Sequence, residues 1–139
     1  MKDVQIVFTN KIKEIQNNLK ITNYSVCNRI SSELVKFAWN LELEDEVFIS
    51  EVLESVFNNL VGFSAYAIPK EVNDKINLDI SEKMQLLADA YNTKDHTQLY
   101  ECLKQLRYIT TMYQLNVLQN YDVSTEIPRH MLKRMVDKI

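Results

Sequence analysis

Glycine is nearly missing from this chain. Gly62 is the only one in 139 residues, against an average share of about 7%. Tight hairpins and phosphate-cradling loops rely on glycine for positive φ or for close backbone approach. Its scarcity argues against a sheet built on hairpins and a glycine-rich nucleotide loop, and it favours helices joined by polar turns. Asparagine, which is plentiful here, is the expected substitute at helix ends.

Cysteine and histidine are also scarce. Cys27 and Cys102 lie far apart, with no CxxC and no histidine beside either. That usage suits reduced thiols in the cytoplasm rather than a disulfide framework. Only His96 and His130 are present, which leaves no zincin motif and no repeated Glu-x-x-His pair of the kind that holds two metals in a helical bundle. Calcium loops of the EF-hand type need alternating acids around a central glycine, and none occurs. Arg107 has no histidine shortly after it and Arg129 abuts His130 directly, so the spaced Arg–His pair of HEPN-type ribonucleases is missing too. No catalytic residue, metal or cofactor is expected.

The net charge is −3 and the pI about 5.4, which gives no broad field for nucleic acid or an anionic membrane. The longest apolar stretch, around 56–68, is broken by Asn58 and Asn59, short of the roughly 18 residues a membrane span requires. The opening MKDVQIVFTNKIKEIQ carries acids and polar residues throughout and reads as neither signal nor anchor. A cytoplasmic protein with no membrane partner is the expectation.

What the chain does have is helical spacing. Val4, Phe8, Ile12, Ile15 and Leu19 predict a helix over about 3–20, and Thr22, Asn23 and Ser25 supply caps for the next. Val26, Ile30, Leu34, Phe37 and Leu41 share one face of the second helix. Val47, Ile49, Val52, Leu53, Val56, Leu60, Phe63 and Ala67 line the third, which should stop near Ile68 before Pro69. The polar stretch 69–79 reads as a connector. A fourth helix follows with Ile80, Met84, Leu87, Ala88 and Tyr91, and a fifth runs over 96–121. A short C-terminal helix over 125–139 has Pro128 in its first turn. The prediction is one all-α domain over 1–139, a bundle of five or six antiparallel helices.

Four features compete for a functional role. Glu42, Glu44, Asp45 and Glu46 crowd the start of the third helix; with no histidine near them in sequence, they read as acids placed at the positive end of a helix dipole. Glu51 and Glu54 are expected on its solvated side. Gly62 reads as a point of close helix approach.

The fifth helix says the most. Leu99, Cys102, Leu103, Leu106, Thr110, Tyr113, Val117 and Tyr121 form a core stripe, while Tyr100, Tyr108, Met112, Leu115 and Leu118 make a second apolar side. A helix apolar on two sides is either enclosed by its own bundle or covered by a partner. Tyrosine and methionine are types that interfaces favour. Finally, the C-terminal segment sets Arg129, Lys133, Arg134 and Lys138 beside an apolar strip of Ile127, Met131, Met135, Val136 and Ile139. These four are the candidate contacts for phosphate or an acidic partner.

The expected function is therefore non-catalytic: a helical bundle that binds another protein, or itself as a homo-oligomer, through the second side of the fifth helix. The alternative is an accessory or regulatory subunit that binds nucleic acid through the basic C-terminal helix.

Overall fold

Five helices account for the residues that the computed structural model describes, 2–63 and 69–120. They are α1 (Lys2–Lys20), α2 (Tyr24–Asn40), α3 (Glu44–Phe63), α4 (Lys70–Thr93) and α5 (His96–Asn120). No strand occurs among the described residues, and the all-α class is as expected. The predicted sixth helix over 125–139 lies outside them, as do Ala67 and Tyr121.

The spacing of apolar residues decides which face each helix buries. Phe8, Ile12, Ile15 and Leu19 of α1 have no solvent exposure, and the same holds for Leu53, Phe57 and Leu60 of α3. Phe57 escapes the stripe drawn from sequence yet ranks with Phe8 among the largest enclosed side chains. On α2, Ile30 and Leu34 are buried as predicted, but Leu41 falls one residue past the helix end and is largely exposed.

These faces meet in a ring. α1 lies between α2 and α4, α2 beside α3, α3 beside α5, and α5 beside α4, which closes the circuit. Consecutive α3 and α4 are not neighbours among the described residues, because α5 lies between them. Gln5 on α1 donates to Asn92 Oδ1 at 3.0 Å and Gln16 to Gln85 at 3.3 Å, so α1 and α4 run antiparallel. Phe48 and Tyr100, near the starts of α3 and α5, bring their rings to 5.5 Å, so these two helices run parallel. This corrects the antiparallel bundle expected from sequence, and the reason is parity: alternating directions cannot close an odd-membered ring. One shared hydrophobic core fills the middle, and no helix is central.

The segment 69–79, read above as a connector, is instead the first part of α4. Val72, Ile76 and Ile80 already step by four toward the core. The asparagines that made the stretch look like a loop have partners inside the bundle. Tyr24 donates its hydroxyl to Asn77 Oδ1, Asn77 donates on to Thr22 Oγ1 at 3.0 Å, and Tyr113 donates to Asn73 Oδ1 at 2.8 Å. Paired in this way, a buried amide loses little on leaving water.

Helix ends are closed without glycine. Thr22, Glu42 and Lys94 take positive φ of 55–58°, and the amides on either side of the turn return to the helix: Thr22 to Leu19 and Asn23 to Asn18, Glu42 to Trp39 and Leu43 to Ala38, Lys94 to Tyr91 and Asp95 to Ala90. Each is a Schellman closure on a residue that pays about 1–2 kcal/mol for the left-handed conformation. Asparagine does not take these positions as expected; Asn23 instead caps the start of α2 by accepting from the Val26 amide. The ion pairs, such as Lys11–Glu33 at 3.8 Å between α1 and α2, are exposed and contribute little.

Candidate functional site

Tyr108 and Met112 stand one turn apart on α5, and Val72 and Ile76 one turn apart on α4. Where the helices meet, these four and Ile109 line a groove of 550 Å³, rimmed by Glu71, Lys75 and Asp79. The Tyr113–Asn73 hydrogen bond clamps the two helices at one end of it. Tyr108 is 65% exposed and Met112 45%. Scattered apolar side chains in water are ordinary, but two of them beside half-buried Val72 and Ile109 in one concavity form a contiguous patch.

The predicted surface is therefore divided. Tyr108 and Met112 come together in the α4 groove. Tyr100 turns toward α3 and packs on Phe48. Leu115 is half-buried. The side chain of Leu118 lies outside what the structure describes, and so do Arg129, Lys133, Arg134 and Lys138. The core stripe is as predicted: Leu99, Cys102, Leu103, Leu106, Thr110, Tyr113 and Val117 are all buried.

Sequence reasoning separated the acids from any histidine, and the fold corrects this. Because α3 and α5 run parallel, both begin at the same end of the ring. Asp45, Glu46 and His96 there line one cleft of 410 Å³ with Val4, Tyr91 and Lys94. The signal was available only as two helix starts whose relative direction was unknown. The Tyr91 hydroxyl donates to Glu46 Oε1 at 3.3 Å. Burial first, and then the Glu46 charge, push its pKa above the ordinary phenol value, so it remains a neutral donor. The bond ties the end of α4 to the start of α3, two helices whose backbones are not neighbours among the described residues. Among the described residues, no three His, Cys, Asp or Glu side chains are grouped to hold a metal.

The other acids divide by position. Glu44, Asp45 and Glu46 occupy the first turn of α3, where the dipole favours them. Glu42 lies before it, in the left-handed turn after α2. Glu54, expected in solvent, instead accepts from Ser32 Oγ on α2. Gly62 also departs from expectation, since among the described residues a Cβ there would meet nothing within 4 Å and no helix approaches it.

The thiols are poorly suited to chemistry. Cys27 donates to the Ile15 carbonyl at 3.4 Å, and burial pushes its pKa up to about 12. Cys102 is buried and shifted in the same direction, again chiefly by desolvation. Neither supplies a thiolate at neutral pH. No protein-family model, curated protein or solved structure matches this chain, so the groove and the cleft are read from their geometry.

Proposed function

We propose that this is a non-catalytic, cytoplasmic helical-bundle protein that acts by binding another protein, and that the α4/α5 groove receives an apolar helix of that partner. The observation that carries the reading is the pairing of exposed Tyr108 and Met112 with Val72, Ile76 and Ile109 in a concave strip. A helix laid in a groove presents residues at three- and four-residue intervals, and the groove offers apolar anchors one turn apart on each wall. The acids on its rim, Glu71 and Asp79, favour an occupant with basic flanks. No helix among the described residues is long and apolar enough to cross a membrane.

The test is affinity capture from native lysate with the wild type, Tyr108→Glu and Met112→Glu in parallel. Both side chains are exposed, so the variants should keep their helical circular dichroism and lose the captured protein. Undiminished capture by both variants would overturn the reading, and so would their unfolding.

A further inference from the structure

Of the large apolar side chains exposed among the described residues, Tyr108 and Met112 are the only two on one helix set three or four positions apart. A helix that docks in a groove needs that spacing. The ridge that would fill the α4/α5 groove is therefore the ridge that forms one of its walls. A surface that is both ridge and groove is self-complementary, so a second copy of the chain can give its ridge to the first and receive the first's in return.

Such an exchange fixes the arrangement. For each α5 to lie in the other's groove, the two-fold axis must run along the helices, which sets the two copies of α5 parallel with equal positions level. Each α5 then meets the second copy's α5 on its α4 side and the second copy's α4 on its other side.

Charge agrees with this placement. At 100° per residue, Lys104 lies about 40° from Tyr108, on the side away from Ile109 and Tyr113, which turn to the chain's own α4. Its side chain is 79% exposed, with Glu101 at 3.9 Å. Tyr113 bonds to Asn73 and the two helices run antiparallel, so Asp79 stands level with position 107. In the second copy that half-buried carboxylate comes within a rise of about 4.5 Å of Lys104, which a lysine side chain spans. Lys75 falls level with Thr111 and Glu71 with Leu115, so like charges do not meet within the groove. Glu101 lies about two turns before Tyr108, beyond the groove.

We infer that the α4/α5 groove is the two-fold interface of a homodimer, in which each copy seats the Tyr108–Met112 ridge of the other and Lys104 of one copy pairs with Asp79 of the other. The inference rests on the groove being a docking surface and deepens that reading by naming the occupant, a second copy of this chain.

Sedimentation velocity on the full-length chain tests it. The wild type should pass from monomer to dimer as concentration rises, while Tyr108→Glu stays monomeric and keeps its helical circular dichroism. Met112→Glu should behave alike, and it carries the test if Tyr108→Glu does not fold. Lys104→Glu and Asp79→Lys should each raise the dimer dissociation constant about 10-fold, since each sets like charges face to face. Combined in one chain, the two should restore the wild-type value. A wild type that is monomeric up to about 1 mM, a dimer that survives both glutamate substitutions, or a charge reversal that does not restore association overturns the inference. Its failure is separable from that of the docking surface. A monomeric wild type that captures another protein from lysate, and loses it in Tyr108→Glu, keeps the groove as a docking surface and overturns the homodimer. A dimer lost in Tyr108→Glu while capture from lysate is undiminished upholds the homodimer and overturns the other occupant.

Discussion

The two flanks of α5 share one core stripe and hold opposite surroundings. Toward α4 the seam is apolar, with Tyr108, Ile109 and Met112 facing Val72 and Ile76. Toward α3 a smaller notch of 300 Å³ is lined by Ser55, Asn59, Arg107, Thr111 and Gln114. Buried Thr110 faces this second seam but donates to the Leu106 carbonyl of its own helix at 2.9 Å, whereas Tyr113 on the first seam reaches across to α4. A helix apolar on two sides is thus not central by that fact alone. The margins of its core stripe decide what each seam can hold, and here one margin is suited to an apolar guest and the other is not.

The largest effect is expected where the flanks share a root. Leu106 is fully buried, and Leu106→Ala should cost about 2–5 kcal/mol through lost transfer energy and a residual cavity. Urea unfolding measures it, and both seams should loosen together; a loss under about 1 kcal/mol would mean that the flanks do not share a rigid core.

Alkali is expected to come next. The buried Cys27 thiol and the Tyr24 and Tyr91 hydroxyls all have folded pKa values above their ordinary ones, chiefly through desolvation. For such groups the neutral form is favoured by folding. Their contribution is fully present below the unfolded values of 9.0 and 10.0 and is lost as pH rises through the raised values. Stability should therefore fall from about pH 9 upward, first through the thiol and then through the phenols. Tyr91→Phe should blunt the later part of that fall in urea titrations.

Smaller substitutions separate the seams. Tyr113→Phe removes the bond to Asn73 and should cost about 1 kcal/mol, whereas Thr110→Val on the opposite flank removes only a bond within its own helix and should cost less, about 0.5 kcal/mol or under. Equal losses would erase the distinction. Lys94→Gly relieves the left-handed residue joining α4 to α5 and should stabilise by several tenths to about 1 kcal/mol, since glycine's greater unfolded freedom offsets part of the relief. A raised midpoint in thermal unfolding checks it.

Periodicity made most of the fold legible. The stripes of α1 and α5 could be drawn residue by residue, because a helix buries what its 3.6-residue repeat aligns. The start of α4 was hidden because Asn73 and Asn77 look like loop residues until Tyr113 and Tyr24 are placed opposite them. Contacts between helices carry no local signature. Spacing alone sets Tyr100 and Met112 about 120° apart on α5, but which neighbouring helix takes each margin is decided only when α3 and α4 take opposite flanks. The meeting of Glu46, Tyr91 and His96 depends on the direction of α3 relative to α5, which no single helix encodes.

That odd-membered ring has an electrical consequence. α1, α3 and α5 begin at one end, while α2 and α4 finish there. With about half a positive charge at each helix start and half a negative at each finish, three against two leaves an uncancelled excess of about +0.5 at that end. An even ring of alternating helices would cancel. The acids Glu44, Asp45 and Glu46 in the first turn of α3, and Asp95, whose Oδ1 accepts from the Gln98 amide at 3.1 Å, sit against this excess. At the opposite end, where α5 finishes and the basic segment begins, the imbalance has the other sign. The whole bundle therefore acts as a single axial dipole that attracts cationic groups toward the exit of α5, an attraction that salt weakens within about 10 Å at 0.1 M.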